Sequence, residues 1–171
     1  MGWKIHYMDV KTAFLNSGVE EEIYIEQLEG FNTYDRESHV WKLERALYGI
    51  KQSPRAWYTW IDNYLNGLGF TKSEADANLY HFVVDGKLLI LVLYVNGLIL
   101  TCDEHLICSC KEDIAREFVM KDMGLMHYFL ELKVWKGDGE LFVSQWKYAS
   151  KILQIFHMEN YKPMDTSLAT N

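Results

Sequence analysis

Between Asn78 and Cys102 the chain reads as three apolar runs cut by two turn signals: "NLYHFVV", Asp85-Gly86, "KLLILVLY", then Asn96-Gly97 leading into "LILTC". Runs of this length rich in Val, Ile, Leu and Tyr, separated by Asp-Gly and Asn-Gly, predict an antiparallel meander; Asn96 and Gly97 both tolerate the positive φ of a type I′ turn. "HYMDVKTAFLN" predicts a strand from about Lys4 to Val10 that runs into a turn or short helix, and "EEIYIEQ" alternates charged and apolar residues like a half-exposed strand. "HVWKLERALYGI" combines a short strand with a helical turn.

"SPRAWYTWIDNYLNGLGF" predicts the clearest helix, with Ser53 as N-cap, Pro54 where its missing N–H costs nothing, and Gly67 or Gly69 at the end. Ala56, Trp60, Tyr64 and Leu65 fall on one face, which would pack on a sheet. Asp103 opens a further helix to about Phe118 with an acidic first turn. A hairpin around Gly137-Asp138-Gly139 and a helix from about Gln145 to Phe156 follow, and the tail "YKPMDTSLATN" reads as frayed. The pattern is α+β, an antiparallel sheet with packed helices, read as one domain over residues 1–171.

With 49% hydrophobic and 15% aromatic residues the chain is far from a disordered composition. Its longest apolar run, Leu88 to Val95, is strand-length, so no membrane association is expected, and "MGWKIHYMD" lacks the apolar stretch of a secretory signal. Three cysteines and no disulfide pattern suit a reducing, intracellular compartment, cytoplasm or nucleus. The net charge of −7 argues against tight binding of a duplex, since phosphate neutralisation carries most of that affinity. Lys42, Arg45, Lys51 and Arg55 lie close together and read as solvated charges or, alternatively, a local basic patch, and the acid run Glu20-Glu21-Glu22 reads as a solvated turn.

Six segments, "MDVKTAFLNSGVEEEIYIEQLEGF", "WKLERALYGIKQSPRAWY", "LGFTKSEADANLY", "ILVLYVNGLIL", "MGLMHYFLELKV" and "LFVSQWKYASKIL", resemble in order and spacing the reverse transcriptase of Ty1/copia-type retrotransposons. The resemblance implies a polymerase palm with parts of the fingers and thumb. It also implies two Mg²⁺ ions held by a carboxylate on the first strand and an Asp-Asp pair at a hairpin tip. The first carboxylate maps to Asp9 and the tip to Tyr94, Val95, Asn96 and Gly97, so both tip aspartates are replaced. Asp9 alone would be at most a one-metal remnant, and no cofactor is expected. By the same resemblance Phe14, Gly49, Lys51, Ser53, Pro54, Arg55 and Tyr94 match nucleotide- or template-binding positions, though Phe14 also reads as core and Ser53-Pro54 as a helix start. Glu131 stands where the family usually has glycine. Relative to the family's layout the segment begins just before the first catalytic strand and stops before the connection and RNase H regions.

Two other constellations have simpler readings. "CDEHLICSC" gathers Cys102, His105, Cys108 and Cys110, but on a helix Cys108 and Cys110 point about 200° apart. Asp62, Asp76 and Asp85 are candidates to replace the lost acids, yet fall on a helix, in a loop and in a distant turn. Three functions remain open. The first is an inactive remnant that serves as a protein-interaction domain or homodimer; the second is a residual nucleic-acid or nucleotide binder or weak RNA-directed DNA polymerase; the third is a new small-molecule activity in the vacated cleft.

Overall fold

The computed structural model describes residues 4–19, 21–31, 35, 38–137 and 140–162. They fall into two compact units, one within Trp3–Leu125 and one within Met126–Asn171. Glu20, Asp138, Gly139 and the tail from residue 163 lie outside the described residues, so the expectations placed on them carry no structural account.

In the first unit the elements run β1 (Lys4–Val10), α1 (Ala13–Asn16), β2 (Tyr24–Ile25), β3 (Trp41–Lys42), α2 (Ser53–Gly67), β4 (Thr71–Lys72), β5 (Leu79–Val84), β6 (Lys87–Tyr94), β7 (Gly97–Cys102), α3 (Glu104–Glu117) and β8 (Met120–Leu125). Six strands form one antiparallel sheet in the order β4-β5-β6-β7-β1-β8, and β2 pairs with β3 apart from it. The order places β7 between β6 and β1, and β1 between β7 and β8. The α2 and α3 segments therefore belong to two interlocked split βαβ units, β1-α2-β6 and β7-α3-β8. The expected meander is β5-β6-β7, and the α+β class holds.

Side chains of period two on each strand build the core. Met8 and Val10 of β1, Leu89, Leu91 and Leu93 of β6, and Leu98 and Leu100 of β7 are buried. Against them α2 lays Trp57, Ile61 and Leu65, and α3 lays Ile107, Cys110 and Ile114. Phe118, just after α3, collects the rings of α2 edge to face, with Trp60 at 4.7 Å, Tyr64 at 5.0 Å and Trp57 at 5.5 Å between centroids. The buried stripe of α2 is thus centred one residue later than Ala56-Trp60-Tyr64 predicts. Trp57 is large enough to reach the sheet, which turns Trp60 and Tyr64 to the flank.

Ser53 departs from its expected part as N-cap. It is the first helical residue, follows Gln52, and its buried hydroxyl donates to Leu47 O at 2.6 Å, a contact that the preceding loop offers and a solvated cap would not. The other end follows the glycine rule: Gly69 takes φ +92°, its N–H reaches Asn66 O at 3.0 Å and Phe70 N–H reaches Leu65 O at 3.1 Å, the paired bonds of a Schellman stop. At α3, the Asp103 carboxylate accepts from His105 N–H at 3.1 Å, and Glu104 supplies the acidic first turn.

The second unit holds β9 (Tyr128–Phe129), β10 (Leu132–Lys136), β11 (Leu141–Ser144) and α4 (Trp146–Ile155). Its strands lie in the order β11-β10-β9, and Trp135 stacks on Phe142 at 5.5 Å. The β9–β10 turn is Leu130-Glu131, with φ +46° and +63°. Glu131 thus holds a left-handed position that suits the glycine usual in the family. Val134 is buried, whereas no described residue of α4 is. Among the described residues no helix is long and apolar enough to cross a membrane.

His6 marks the seam between β1 and α3. Its Nδ1 lies 3.0 Å from the Lys111 ammonium, which also reaches both Asp122 oxygens at 2.8 and 2.9 Å, while its Nε2 is buried without a partner. Burial first, then the Lys111 charge, holds the imidazole below its ordinary value of 6.5. The folded chain resists a proton that the unfolded chain accepts, so this contribution is intact above pH 6.5 and is lost as pH falls toward the lowered value. The urea midpoint should drop between about pH 7 and 5.5 more steeply in the native chain than in His6→Gln, whose amide stays neutral; parallel slopes would exclude His6 from the acid response.

Candidate functional site

Asp9 occupies the next-to-last position of β1, and the tip of the β6–β7 hairpin lies beside it. The register fixes this: Asp9 pairs with Gly97, Gly97 with Tyr94, and Asp9 on its other side with Lys121. Val10 N–H donates to Asn96 O at 2.9 Å, and from α2 the Trp57 indole N–H donates to Val95 O at 2.7 Å. Two elements, β1 and α2, therefore hold two consecutive carbonyls of the tip.

The loop residues of this turn are Val95 and Asn96, one position earlier than Asn96-Gly97 predicts. Gly97 belongs to β7, and only Val95 has positive φ, +54°. One positive φ at the first loop position is the pattern of a type II′ turn, where glycine is usual. The cause is tertiary: the apolar pairs Leu91–Leu100 and Leu93–Leu98 face the core, and a one-residue slip would turn both strands inside out. Core burial outweighs the preference of the dipeptide, leaving a β-branched residue in a left-handed conformation at a cost of about 1–2 kcal/mol.

The carboxylate of Asp9 is met by neutral donors. Asn96 Nδ2 donates to Asp9 Oδ1 at 2.8 Å, and the Tyr7 hydroxyl approaches the same oxygen at 3.5 Å. Burial first, then the charge of Asp9, raises the pKa of the Tyr7 phenol above its ordinary value and keeps the hydroxyl protonated as a donor. Asn96 also lies 3.4 Å from Val10 O through the same nitrogen, which assigns its amide with NH₂ toward β1.

These donors do not fit the metal pair that the resemblance implies. Mg²⁺ takes oxygen ligands in near-octahedral geometry and favours carboxylates. Here one carboxylate remains, one of its oxygens receives an amide, and the amide presents hydrogen where a ligand would present a lone pair. Among the described residues no group of three His, Cys, Asp or Glu side chains could hold a metal ion. The alternative acids are engaged elsewhere: Asp62 with Lys72 at 2.6 Å and with Tyr80 at 2.6 Å, Asp76 with Asn78 N–H at 2.9 Å, and Asp85 in the far hairpin turn at φ +50°. Cys108 is exposed on α3 while Cys110 faces the core, where burial pushes its thiol up to about 12. The two thiols thus lie in different environments, and the buried Cys110 is not a ready nucleophile.

Of the remaining positions singled out in the sequence, Phe14 is buried and packs on Tyr48 at 4.6 Å between centroids. Gly49 takes φ +90° in the turn before α2, and Pro54, Lys51 and Arg55 are exposed. Tyr94 is exposed at the end of β6. Lys42, the first of the four clustered basic residues, is paired with Glu22. Asp9, Asn96 and Gly97 are thus joined directly by the strand register. Sequence reasoning passed over two members of the site, Tyr7 and Trp57. The signal for Tyr7 was its place two residues before Asp9 on one strand, which puts both side chains on the same face.

Residues 1–170 match the protein family described as reverse transcriptase (RNA-dependent DNA polymerase). Among curated proteins, the chain is 39% identical over 170 residues to the retrovirus-related Pol polyprotein from transposon TNT 1-94 of Nicotiana tabacum, covering 97% of this chain and 13% of that protein. It is 34% identical over 168 residues to the Pol polyprotein from transposon RE1 of Arabidopsis thaliana, covering 98% of this chain and 12% of the relative. A Saccharomyces cerevisiae protein named for transposon Ty5-1 is 31% identical, over 96% of this chain and 54% of its own length. The chain therefore spans a minor part of the plant polyproteins it matches. No solved structure matches it.

Replacing Asn96 by Asp would exchange the 2.8 Å donor for a second anion against Asp9. Asn96→Asp should lower stability by about 2 kcal/mol at pH 7, the scale of a hydrogen bond to a charged group. A urea midpoint unchanged from the native chain would show that this bond contributes nothing.

Proposed function

Because this chain belongs to the reverse transcriptase (RNA-dependent DNA polymerase) family, we propose that it is a copia-type palm-centred domain that keeps the scaffold of the site and no longer polymerises. The observation that carries this reading is the Asn96 amide donating to Asp9 Oδ1, because it occupies with a neutral donor the place where the family's chemistry needs anionic oxygen. Each ~1.4 kcal/mol of transition-state stabilisation is tenfold in rate, so loss of two carboxylates lowers polymerisation by about 10⁴ or more.

Charge supports the same conclusion. Trp3–Leu125 carries 12 basic and 19 acidic residues, which accounts for the whole net charge of −7. A primer-template would meet that field at the unit bearing the site, and binding should be weak and vanish as salt rises. Primer extension with Mg²⁺ or Mn²⁺ tests the proposal: the native chain should yield no product under conditions where a relative with the tip aspartates extends fully. Extension at a comparable rate would overturn it.

A second reading, service as an interaction domain, is favoured by α4. Its apolar positions fall at helical spacing on Trp146, Ala149, Leu153 and Phe156, all exposed, with Trp146 at 75% and Phe156 at 65%. A second copy of the chain is the simplest partner for such a face. Sedimentation should reveal a dimer that Trp146→Glu with Phe156→Glu dissociates; a monomer at all concentrations would remove the homodimer.

A further inference from the structure

Gly97 has a backbone that any residue adopts, since it is absent from the positive-φ positions of the described chain. Its lack of a side chain has another cause. A Cβ built there would stand 2.6 Å from Tyr7 Cε2, 2.8 Å from the Tyr7 hydroxyl oxygen and 3.1 Å from Cζ. Two of these are distances that real Cβ atoms essentially never show. The outer edge of the phenol fills the space a side chain at position 97 would enter, and the same hydroxyl approaches Asp9 Oδ1 at 3.5 Å.

Register explains the meeting. Asp9 pairs with Gly97 and Tyr7 with Ile99, so Tyr7 is the diagonal neighbour of Gly97 on the face that carries Asp9. A ring of that reach lies over the glycine only because nothing projects from it. To admit a side chain the phenol would have to rotate away, leaving both Gly97 and Asp9 uncovered.

We propose that Tyr7 is the plug of this site, a positioning residue that forms a matched pair with Gly97 and excludes a second carboxylate from the tip. The inference rests on the reading of the chain as a non-polymerising member of its family and deepens it. The site is closed by occupancy as well as by loss of charge, and restoring acids at positions 96 and 97 does not reopen it. The change that matters is distributed over two strands, and Tyr7 must leave before an acidic tip can form.

A double-mutant cycle isolates the pair without metal. Gly97→Ala should lower Tm by about 5 °C or more in the native background, through overpacking against the phenol, and by about 1 °C or less in Tyr7→Ala. Equal losses in the two backgrounds would overturn the proposal. Mn²⁺ alone then serves as probe, with free ion followed by electron paramagnetic resonance. Asn96→Asp with Gly97→Asp should bind no better than the native chain, and addition of Tyr7→Ala should tighten binding at least about tenfold. If the two acids bind as tightly with Tyr7 present, the plug does not exist, although the native chain would still fail to extend a primer. Extension by the native chain would refute the functional reading and leave the cycle at Gly97 standing.

Discussion

The register between β6 and β7 is the constraint from which the site follows. Four leucines, paired across the two strands and buried against α2 and α3, set which residue of each strand faces inward. A slip of one residue would expose all four, at roughly 1.5–3 kcal/mol for each fully buried side chain. No preference of a turn dipeptide competes with a penalty of that size. Val95 is therefore held at positive φ, Gly97 is drawn into the strand, and Asn96 is set where its amide meets Asp9.

Around that fixed tip the contacts divide into a scaffold and a chemistry. The scaffold is complete: two consecutive tip carbonyls accept from Trp57 and from Val10, and the neighbouring strand carries Asp9 at its next-to-last position. The side chains that meet Asp9 are neutral groups, an amide and a phenol. The two can separate because they rest on different atoms. Main-chain pairing at the tip uses backbone groups only, so it does not itself require a particular side chain at position 96.

Much of the fold was legible because its signals are local. The β5-β6-β7 meander follows from apolar runs broken by turn residues, the start of α3 from Asp103, and the stop of α2 from Gly69. Asp9 and the hairpin tip were legible as a pair through the order of motifs. What was not legible depends on contacts across strands. The one-residue offset of the turn is decided by leucines on two strands at once. Ser53 binds a loop carbonyl six residues earlier, and so is not free to cap its helix. Tyr7 lies two residues before Asp9, but only the pairing of β1 with β7 brings its ring over Gly97. The centre of the α2 stripe moved by one position because Trp57 reaches the tip, a distance that helical periodicity does not encode.

The left-handed Val95 is tied to the core beneath it. Moving the loop by one residue to relieve Val95 would turn the buried leucines of both strands outward, so the strain at the tip and the packing beneath it can only be released together.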